Sequence, residues 1–200
     1  MNDVVAAREK MQQAQHVVFM TGAGVSTPSG IPDYRSKNGL YTEHQNAEYY
    51  LSHAFLAQHP TEFYQYLQQN LYYPEARPNV IHEKMAALTR QGRASLITQN
   101  IDNLYNVAHT DHLVEFHGNL FQIYCTKCGQ SVAWQEYLES PYHQTDQGYL
   151  RPNVVLYDEG IASDNIERAV QYLQQADLVV ICGTSMRVYP FAGLLDYRNP

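Results

Sequence analysis

The sequence predicts an α/β fold built around a parallel β-sheet. Three observations favour this class: short β-branched apolar runs recur, helical patterns lie between them, and glycine or polar clusters follow the runs directly. Four of these runs are typical of buried strands: residues 16–20, 94–98, 113–116 and 177–182. Because strands that alternate with helices usually pair in parallel, one sheet covered by helices is expected.

Helical patterns occupy the stretches between the strands. Residues 3–15 are predicted to form a polar surface helix with a few apolar residues on one face. Residues 78–90 form a second helix, in which Pro78 suits the first helical position. Residues 163–175 form a third helix, and Ser163 suits its N-cap.

Two stretches interrupt the alternation and are interpreted as insertions. Residues 36–73 are rich in Tyr, Gln and His and predict one or two helices with loops. Residues 121–152 contain a Cys pair and several Gly and Pro residues. The core domain is therefore predicted over residues 1–35, 74–120 and 153–200.

Composition and charge exclude several classes of protein. Lys and Arg number 13 against 20 Asp and Glu, and a net charge of −7 argues against nucleic acid as the main partner. No apolar run approaches the roughly 18 residues of a membrane span, which predicts that the membrane is not a partner. Three Cys without a recognisable secretory signal argue against a disulfide scaffold. A soluble cytoplasmic protein is expected.

A glycine turn directly follows the first predicted strand. Residues 21–26 read TGAGVS, and glycines in such a turn let the backbone approach a pyrophosphate closely. Backbone amides and the Ser26 hydroxyl would supply hydrogen-bond donors. Thr27 stands where a third glycine would complete the dinucleotide pattern, so a plain tight turn remains open at this point.

Polar clusters also follow the other predicted strands. Residues 98–102 (TQNID), His117 with Gly118, and residues 183–185 (GTS) each come at a strand end, and residues 30–36 (GIPDYRS) form a turn-rich loop. Ligands bind at the carboxyl ends of strands in open α/β sheets, so these clusters predict a ligand crevice. His117 could serve there as a general base, although a single histidine is more often structural.

Seven motifs in this order resemble the sirtuin family of NAD-dependent protein-lysine deacylases. They are TGAGVS, GIPDYRS, TQNID, HG, CxxC, LRPNVVLYDE and GTSMRV, between about residues 17 and 190. The resemblance implies a Rossmann-like, NAD-binding parallel sheet with helices on both faces. It also implies a small domain formed by the two insertions, a helical module over residues 36–73 and a zinc-ribbon-like module over residues 121–152.

The resemblance further implies the functional residues. His117 and Asn100 are expected to be catalytic, with His117 as the general base. NAD is expected to contact Gly22, Ala23, Gly24, Ser26, Asp33, Tyr34, Arg35, Gln99, Asn100, Ile101, Asp102, His117, Gly183, Thr184, Ser185 and Val188. The acylated peptide is expected to contact Val154, Val155 and Tyr157.

The implied reaction transfers an acyl group from a protein lysine to NAD as co-substrate, giving nicotinamide and O-acyl-ADP-ribose. Two alternatives remain open: an NAD- or ADP-ribose-binding module with little catalysis, and a protein ADP-ribosyltransferase. Leu67 stands where desuccinylase-type members carry Arg, which favours acetyl or a longer neutral acyl group. The oligomeric state is left open.

A zinc site is expected in the second insertion, with a changed donor set. The family carries two Cys-x-x-Cys pairs, whereas this chain has only Cys125 and Cys128. His143 and Asp146 stand at the positions of the second pair, and both can ligate zinc. The alternative is a metal-free ribbon packed around Trp134.

The chain departs from the family pattern in two further places. Asp158 replaces the Gly of the family's Phe-Gly-Glu, which puts a carboxylate near the expected acyl-lysine entrance. The sequence also stops at Pro200, where the family continues into a final strand and helix. An adenine pocket without one wall, and hence weaker NAD binding, is the expectation.

Overall fold

Four parallel strands form the main sheet of this computed structural model, which describes residues 3–34, 39 and 46–198. The strands are β1 (Val17–Thr21), β2 (Ala94–Thr98), β3 (Leu113–Glu115) and β7 (Leu178–Cys182), in the order β3-β2-β1-β7. Thr21 is in register with both Thr98 and Cys182, so three strands end level at one edge. The predicted parallel sheet is confirmed.

Helices cover both faces of this sheet, as predicted. They include α1 (Asp3–Gln13), α5 (Val80–Arg90), the short α6 (Leu104–Val107) and α8 (Ser163–Gln175). Val18 and Met20 of β1 share a core with Leu173 of α8, whereas Phe19 packs on the other side with Met85 of α5. Because neighbouring strand residues point to opposite faces, an uninterrupted apolar strand supplies both cores.

A second, antiparallel sheet lies beside the first. It consists of β4 (Gly118–Cys125), β5 (Ser131–Val132) and β6 (Leu150–Val154), in the order β5-β4-β6. Its helices are α2 (Ala47–Tyr50), α3 (His53–Gln58), α4 (Pro60–Asn70) and α7 (Trp134–Glu139). Phe63 and Leu67 of α4 share one core with Leu120, Ile123 and Leu150, so both insertions pack into one small domain.

The predicted domain boundaries remain predictions, and β4 and β6 run across two of them. Two predicted helix starts are wrong. Helix α5 begins at Val80 with Asn79 as N-cap, because the Asn79 side chain accepts from the Ile81 N–H. Helix α8 has Ala162 rather than Ser163 at its N-cap. Three short helices, rather than one or two, occupy the described part of the first insertion.

Strand β7 is less buried than its apolar sequence predicts. Ile181 is 43% exposed and Cys182 is half-buried. Within the described residues β7 pairs only with β1, which leaves its other edge uncovered. The prediction of a fully buried fourth strand is therefore wrong.

Candidate active site

The carboxyl ends of β1, β2 and β7 open into one cavity of about 580 Å³. Sixteen of the predicted NAD and substrate residues line it: Gly22, Ala23, Gly24, Asp33, Tyr34, Gln99, Asn100, Ile101, His117, Val154, Val155, Tyr157, Gly183, Thr184, Ser185 and Val188. Ser26 and Asp102 line a smaller adjoining cavity, which shares Asn100 and Ile101 with the larger one. Arg35, also predicted to contact NAD, lies outside the described residues.

The turns that follow β1 and β7 pack backbone against backbone. The Gly24 N–H donates to the Gly183 carbonyl at 2.9 Å, and a Cβ added to Gly24 would lie 2.8 Å from the Gly183 Cα. Gly183 has a φ of +62°, and its own added Cβ would lie 2.5 Å from the Val25 nitrogen. The sequence analysis explained these glycines by the close approach of a ligand or by a plain tight turn. The structure shows that the two turns also need glycine to reach each other.

A buried hydrogen-bond network surrounds the Ser26 hydroxyl. Ser26 donates to Asp102 Oδ2 at 2.6 Å and accepts from Asn100 Nδ2 at 3.0 Å. His82 Nε2 lies 3.4 Å from the same oxygen. Because His82 Nδ1 accepts from the Asn79 N–H, the proton belongs on Nε2, which makes His82 a donor to Ser26. The Ser26 proton is thus donated to Asp102 in this structure, and the predicted contact of Ser26 with the pyrophosphate stays a prediction.

His82 is the main residue of this network that sequence reasoning missed. It is completely buried, and burial lowers its pKa while the Asp102 carboxylate opposes that shift. A neutral His82 keeps its single proton for Ser26. No local sequence pattern marks this residue, since its partner lies 56 positions earlier in the chain.

The His117 ring is oriented by a hydrogen bond to the backbone of Gln99. Its Nδ1 lies 3.3 Å from the Gln99 carbonyl oxygen, and a carbonyl can only accept, so Nδ1 carries the proton. This tautomer leaves Nε2 as the acceptor nitrogen of a ring that lines the cavity. Burial lowers the pKa of His117 below its usual value, which keeps the ring neutral and able to take a proton at pH 7.

The segment that follows β6 forms another wall of the cavity. The Val155 N–H donates to the His117 carbonyl at 2.9 Å, and the Tyr157 N–H donates to the Leu51 carbonyl at 3.0 Å. The His53 N–H donates to the Tyr157 carbonyl, also at 3.0 Å. Within the described part of the chain, the Val155 carbonyl accepts no hydrogen bond. It is therefore available to a donor on a bound ligand.

The four predicted metal ligands come together in the small domain. One donor atom from each of Cys125, Cys128, His143 and Asp146 lies within 4.8 Å of the others. His143 Nδ1 lies 3.0 Å from Asp146 Oδ1, and Cys125 Sγ lies 3.4 Å from the same oxygen. Tetrahedral zinc with bonds of about 2.0–2.3 Å separates its ligand atoms by about 3.3–3.8 Å, so this group fits a zinc ion after small adjustments.

Comparison with known protein families identifies the family to which this chain belongs. Residues 22–190 match the sequence profile described as the Sir2 family, and this range covers every residue that lines the cavity. This chain belongs to the Sir2 family. The matched range contains the four residues of the metal cluster as well as the residues that line the cavity, so the Sir2 domain includes both.

Curated and solved relatives agree with this membership. An NAD-dependent protein deacetylase of Lactiplantibacillus plantarum is 84% identical over 200 residues, which cover this whole chain and 86% of the relative. A Sir2 histidine-to-alanine variant with deacetylated p53 peptide and 3′-O-acetyl-ADP-ribose superposes with a TM-score of 0.87 at 32% identity. That match covers 97% of this chain and 81% of the other. A Sir2 complex with a p53 peptide and NAD⁺ superposes with a TM-score of 0.81 at 34% identity, covering 94% and 79% of the two chains.

Zinc content provides a direct test of the metal cluster in this Sir2 domain. We expect protein purified without chelator to contain about one zinc per chain by elemental analysis. Asp146→Ala should lower that content, because it removes one of four ligands from a site that cross-links β4 to the segment before β6. Glu139→Ala, an exposed acid of the same small domain, should not. Less than a tenth of an equivalent in the unsubstituted protein would favour the metal-free ribbon.

Glu115 is a half-buried carboxylate beside the turn that carries His117. It accepts from Asn119 Nδ2 at 2.6 Å, Asn106 Nδ2 at 2.7 Å and Gln122 Nε2 at 3.3 Å. Within residues 3–34, 39 and 46–198, no cationic side chain pairs with it. Burial raises its pKa from 4.5 to about 7, although the two Asn amides oppose the shift.

This raised pKa predicts a pH dependence of stability. The folded state holds the Glu115 proton more tightly than the unfolded state, so its contribution is complete below about pH 4.5 and is lost as the pH rises to about 7. We expect Glu115→Gln to remove this decline, measured as the urea unfolding free energy at pH 5 and pH 8. Glu9→Gln, on the exposed helix α1, is the control. Equal declines in the original protein and the Glu115 variant would contradict the assignment.

Every helix in the described ranges is too short or too polar to cross a bilayer.

Proposed function

We propose that this Sir2-family chain is an NAD-dependent protein-lysine deacylase that gives nicotinamide and O-acyl-ADP-ribose. One observation carries the proposal. A single cavity is lined by the glycine turn after β1, by Asn100, by a His117 ring with an acceptor nitrogen, and by Val155, whose carbonyl accepts no hydrogen bond from any described residue. The name of the Lactiplantibacillus relative supports the same activity.

The NAD side of the cavity lies along the ends of β1, β2 and β7. We assign the turns at Gly22–Gly24 and Gly183–Ser185 to the pyrophosphate and the adenosine ribose. Asn100 and Asp102 take the nicotinamide ribose and carboxamide. Asp102 suits this role because its Oδ2 accepts from Ser26 and its Oδ1 accepts from the Leu104 N–H at 3.0 Å, which together lock its orientation.

The remaining predicted contacts of NAD follow the same arrangement. Gln99 Nε2 donates to Thr184 Oγ1 at 2.7 Å, which ties the turn after β2 to the turn after β7. We assign Gln99 to a ribose on that basis. Asp33 and Tyr34 cover the nicotinamide end, and Arg35 is proposed to act with them.

The reaction needs two things from the residues of this chain: alignment of the acyl-lysine amide and removal of a proton from the ribose. An amide oxygen is a weak nucleophile, so its alignment against the ribose carbon must supply most of the rate. The Val155 carbonyl provides that alignment by accepting the amide N–H of the acylated lysine. His117 then removes a proton from a ribose hydroxyl through Nε2. Val154 and Tyr157 flank Val155 and complete the peptide-binding segment.

The apolar wall of the cavity favours neutral acyl groups. Leu67 is completely buried and lines the cavity with Leu51, Leu71 and Leu156. A carboxylate buried against leucines without a cationic partner is costly. Butyryl-lysine and succinyl-lysine have the same number of acyl carbons and differ mainly in that carboxylate. We expect kcat/KM for the neutral butyryl and acetyl peptides to exceed that for the succinyl peptide by at least about tenfold. A succinyl preference would contradict this prediction.

The function itself is tested by incubating the protein with NAD and an acetyl-lysine peptide and analysing the products by mass spectrometry. Equal amounts of nicotinamide, deacetylated peptide and O-acetyl-ADP-ribose are expected. NAD binding without these products would instead support a binding module. An ADP-ribosylated peptide that keeps its acetyl group would support an ADP-ribosyltransferase. The cytoplasmic location and the lack of a nucleic-acid partner stay predictions from composition.

A further inference from the structure

Asp158 presents an exposed carboxylate at the rim of the cavity. It lies in the turn after β6 and lines the cavity beside Val155 and Tyr157. Its φ is +71°, in the left-handed region that most side chains avoid and that Asp and Asn tolerate better than others. Among the described residues, no Lys, Arg or His forms an ion pair with it.

The neighbouring carboxylate, Glu159, is in a different situation. It accepts from Arg151 at 2.5 Å, from His53 Nδ1 at 2.9 Å and from the Leu156 N–H at 3.0 Å. Burial opposes its ionisation, but these donors outweigh burial and lower its pKa. The charge of Glu159 is therefore balanced within the protein, whereas Asp158 has no cationic partner among residues 3–34, 39 and 46–198.

The backbone around Asp158 is fixed from three directions. The Leu156 N–H binds Glu159, the Tyr157 peptide groups bind Leu51 and His53, and the Val155 N–H binds the His117 carbonyl. On the other side of Asp158, the Glu159 N–H donates to the Leu156 carbonyl at 3.1 Å. Together these bonds hold the backbone of Asp158 in place relative to Val155. A peptide whose acylated lysine reaches the Val155 carbonyl must pass close to this carboxylate.

We propose that Asp158 selects acyl-lysine peptides that carry Lys or Arg next to the acylated lysine. The proposal rests on the deacylase function proposed above and specifies its substrate class. An exposed ion pair contributes about 0.2–1 kcal/mol, which corresponds to a preference of up to about fivefold in KM. Since the pair is exposed, salt should weaken the preference.

Arg187 is an exposed cation that lines the same cavity and must be considered with Asp158. It is exposed and forms no ion pair with Asp158 in the described part of the chain. A peptide with acidic residues could instead bind beside Arg187. Asp158 and Arg187 therefore predict opposite preferences for the charge of the residues that flank the acyl-lysine. Single substitutions of each residue distinguish the two predictions.

The experiment compares three acetyl-lysine peptides that differ only in the residues flanking the acetyl-lysine: Arg, Gln or Glu. We expect KM to be lowest for the Arg peptide, and the advantage to shrink between 50 and 500 mM NaCl. Asp158→Asn keeps the size and the left-handed tolerance of the residue and should equalise the Arg and Gln peptides. Asp158→Lys should reverse their order. Glu9→Gln changes the net charge equally, far from the cavity, and should change nothing.

Three outcomes would overturn the proposal: equal KM values for the three peptides in the unsubstituted protein, an Arg preference that survives Asp158→Asn, or a preference abolished only by Arg187→Gln. Each of these leaves deacetylation of the Gln peptide intact, so each counts against Asp158 alone. If no peptide is deacetylated although NAD binds, the proposed function fails instead.

Discussion

We expect His117→Ala to lower the rate of O-acetyl-ADP-ribose formation by about 10²–10⁴-fold while NAD still binds. The reason is the fixed tautomer of the ring: the Gln99 carbonyl holds the Nδ1 proton, and Nε2 alone can accept a proton in the cavity. Burial keeps the ring neutral at pH 7, so the effect should be present across neutral pH. Single-turnover product formation and calorimetric NAD binding measure the two properties separately.

His59→Ala is the matched control for this variant. His59 precedes helix α4 on the exposed surface and makes no side-chain capping hydrogen bond, so its removal should leave turnover near that of the unsubstituted protein. Turnover of the His117 variant within a few-fold of the original would remove His117 from the reaction. Loss of NAD binding together with turnover would indicate a structural role instead.

The second large effect is expected at Gly118, one residue after His117. Its φ is +80°, and an added Cβ would lie only 2.0 Å from the Asn153 carbonyl oxygen of β6. The Asn153 oxygen belongs to backbone that pairs with β4, so the strands would have to separate. We expect Gly118→Ala to lower the free energy of unfolding by about 3 kcal/mol or more and to displace His117. That corresponds to a fall in Tm of roughly 6–12 °C for a chain of this size.

Gly118→Ala combines an unfavourable positive φ with a clash against Asn153, and Gly92→Ala separates these two causes. Gly92 also has a positive φ, +69°, but an added Cβ there meets nothing within 4 Å. It should therefore lose only the conformational part, about 1–2 kcal/mol. Calorimetric Tm values and circular dichroism of both variants provide the comparison. Equal losses would mean that the contact with Asn153 contributes nothing.

The main sheet and the position of the cavity could be predicted from the sequence because they depend on local patterns. Runs such as residues 94–98 are short, apolar and β-branched, and a strand of that kind buried on both faces needs no distant information to be recognised. The polar clusters after each run then had to meet at one edge, since parallel strands end together. The helix starts were less predictable, because both Pro78 and Asn79 are acceptable at a helix start. In the folded chain Asn79 is the N-cap of α5, and the His82 side chain accepts a hydrogen bond from the Asn79 backbone N–H.

For the candidate metal cluster, too, the sequence predicted the residues and the fold determined their distances. The spacing of Cys125 and Cys128 was readable as a ligand pair, and the resemblance supplied His143 and Asp146. That all four donors lie within 4.8 Å of one another depends on the pairing of β4 with β6, which brings Cys125 opposite Leu150. Spacing along the chain alone does not contain that distance.

By itself, the sequence determined the parallel sheet, the turn motifs at its carboxyl edge and membership of the Sir2 family. Each of these is recognised from short motifs whose residues are close together in the chain. Only the tertiary structure decided that Gly24 must be glycine because of Gly183, and that the Ser26 proton goes to Asp102. It likewise decided that Glu159 is paired with Arg151 and His53 while Asp158, as far as the described residues go, has no ion-pair partner. The contacts of Gly24 with Gly183, of Ser26 with Asp102 and of His53 with Glu159 join residues that are dozens of positions apart in the chain. They form only when β1 pairs with β2 and β7 and the two insertions pack together.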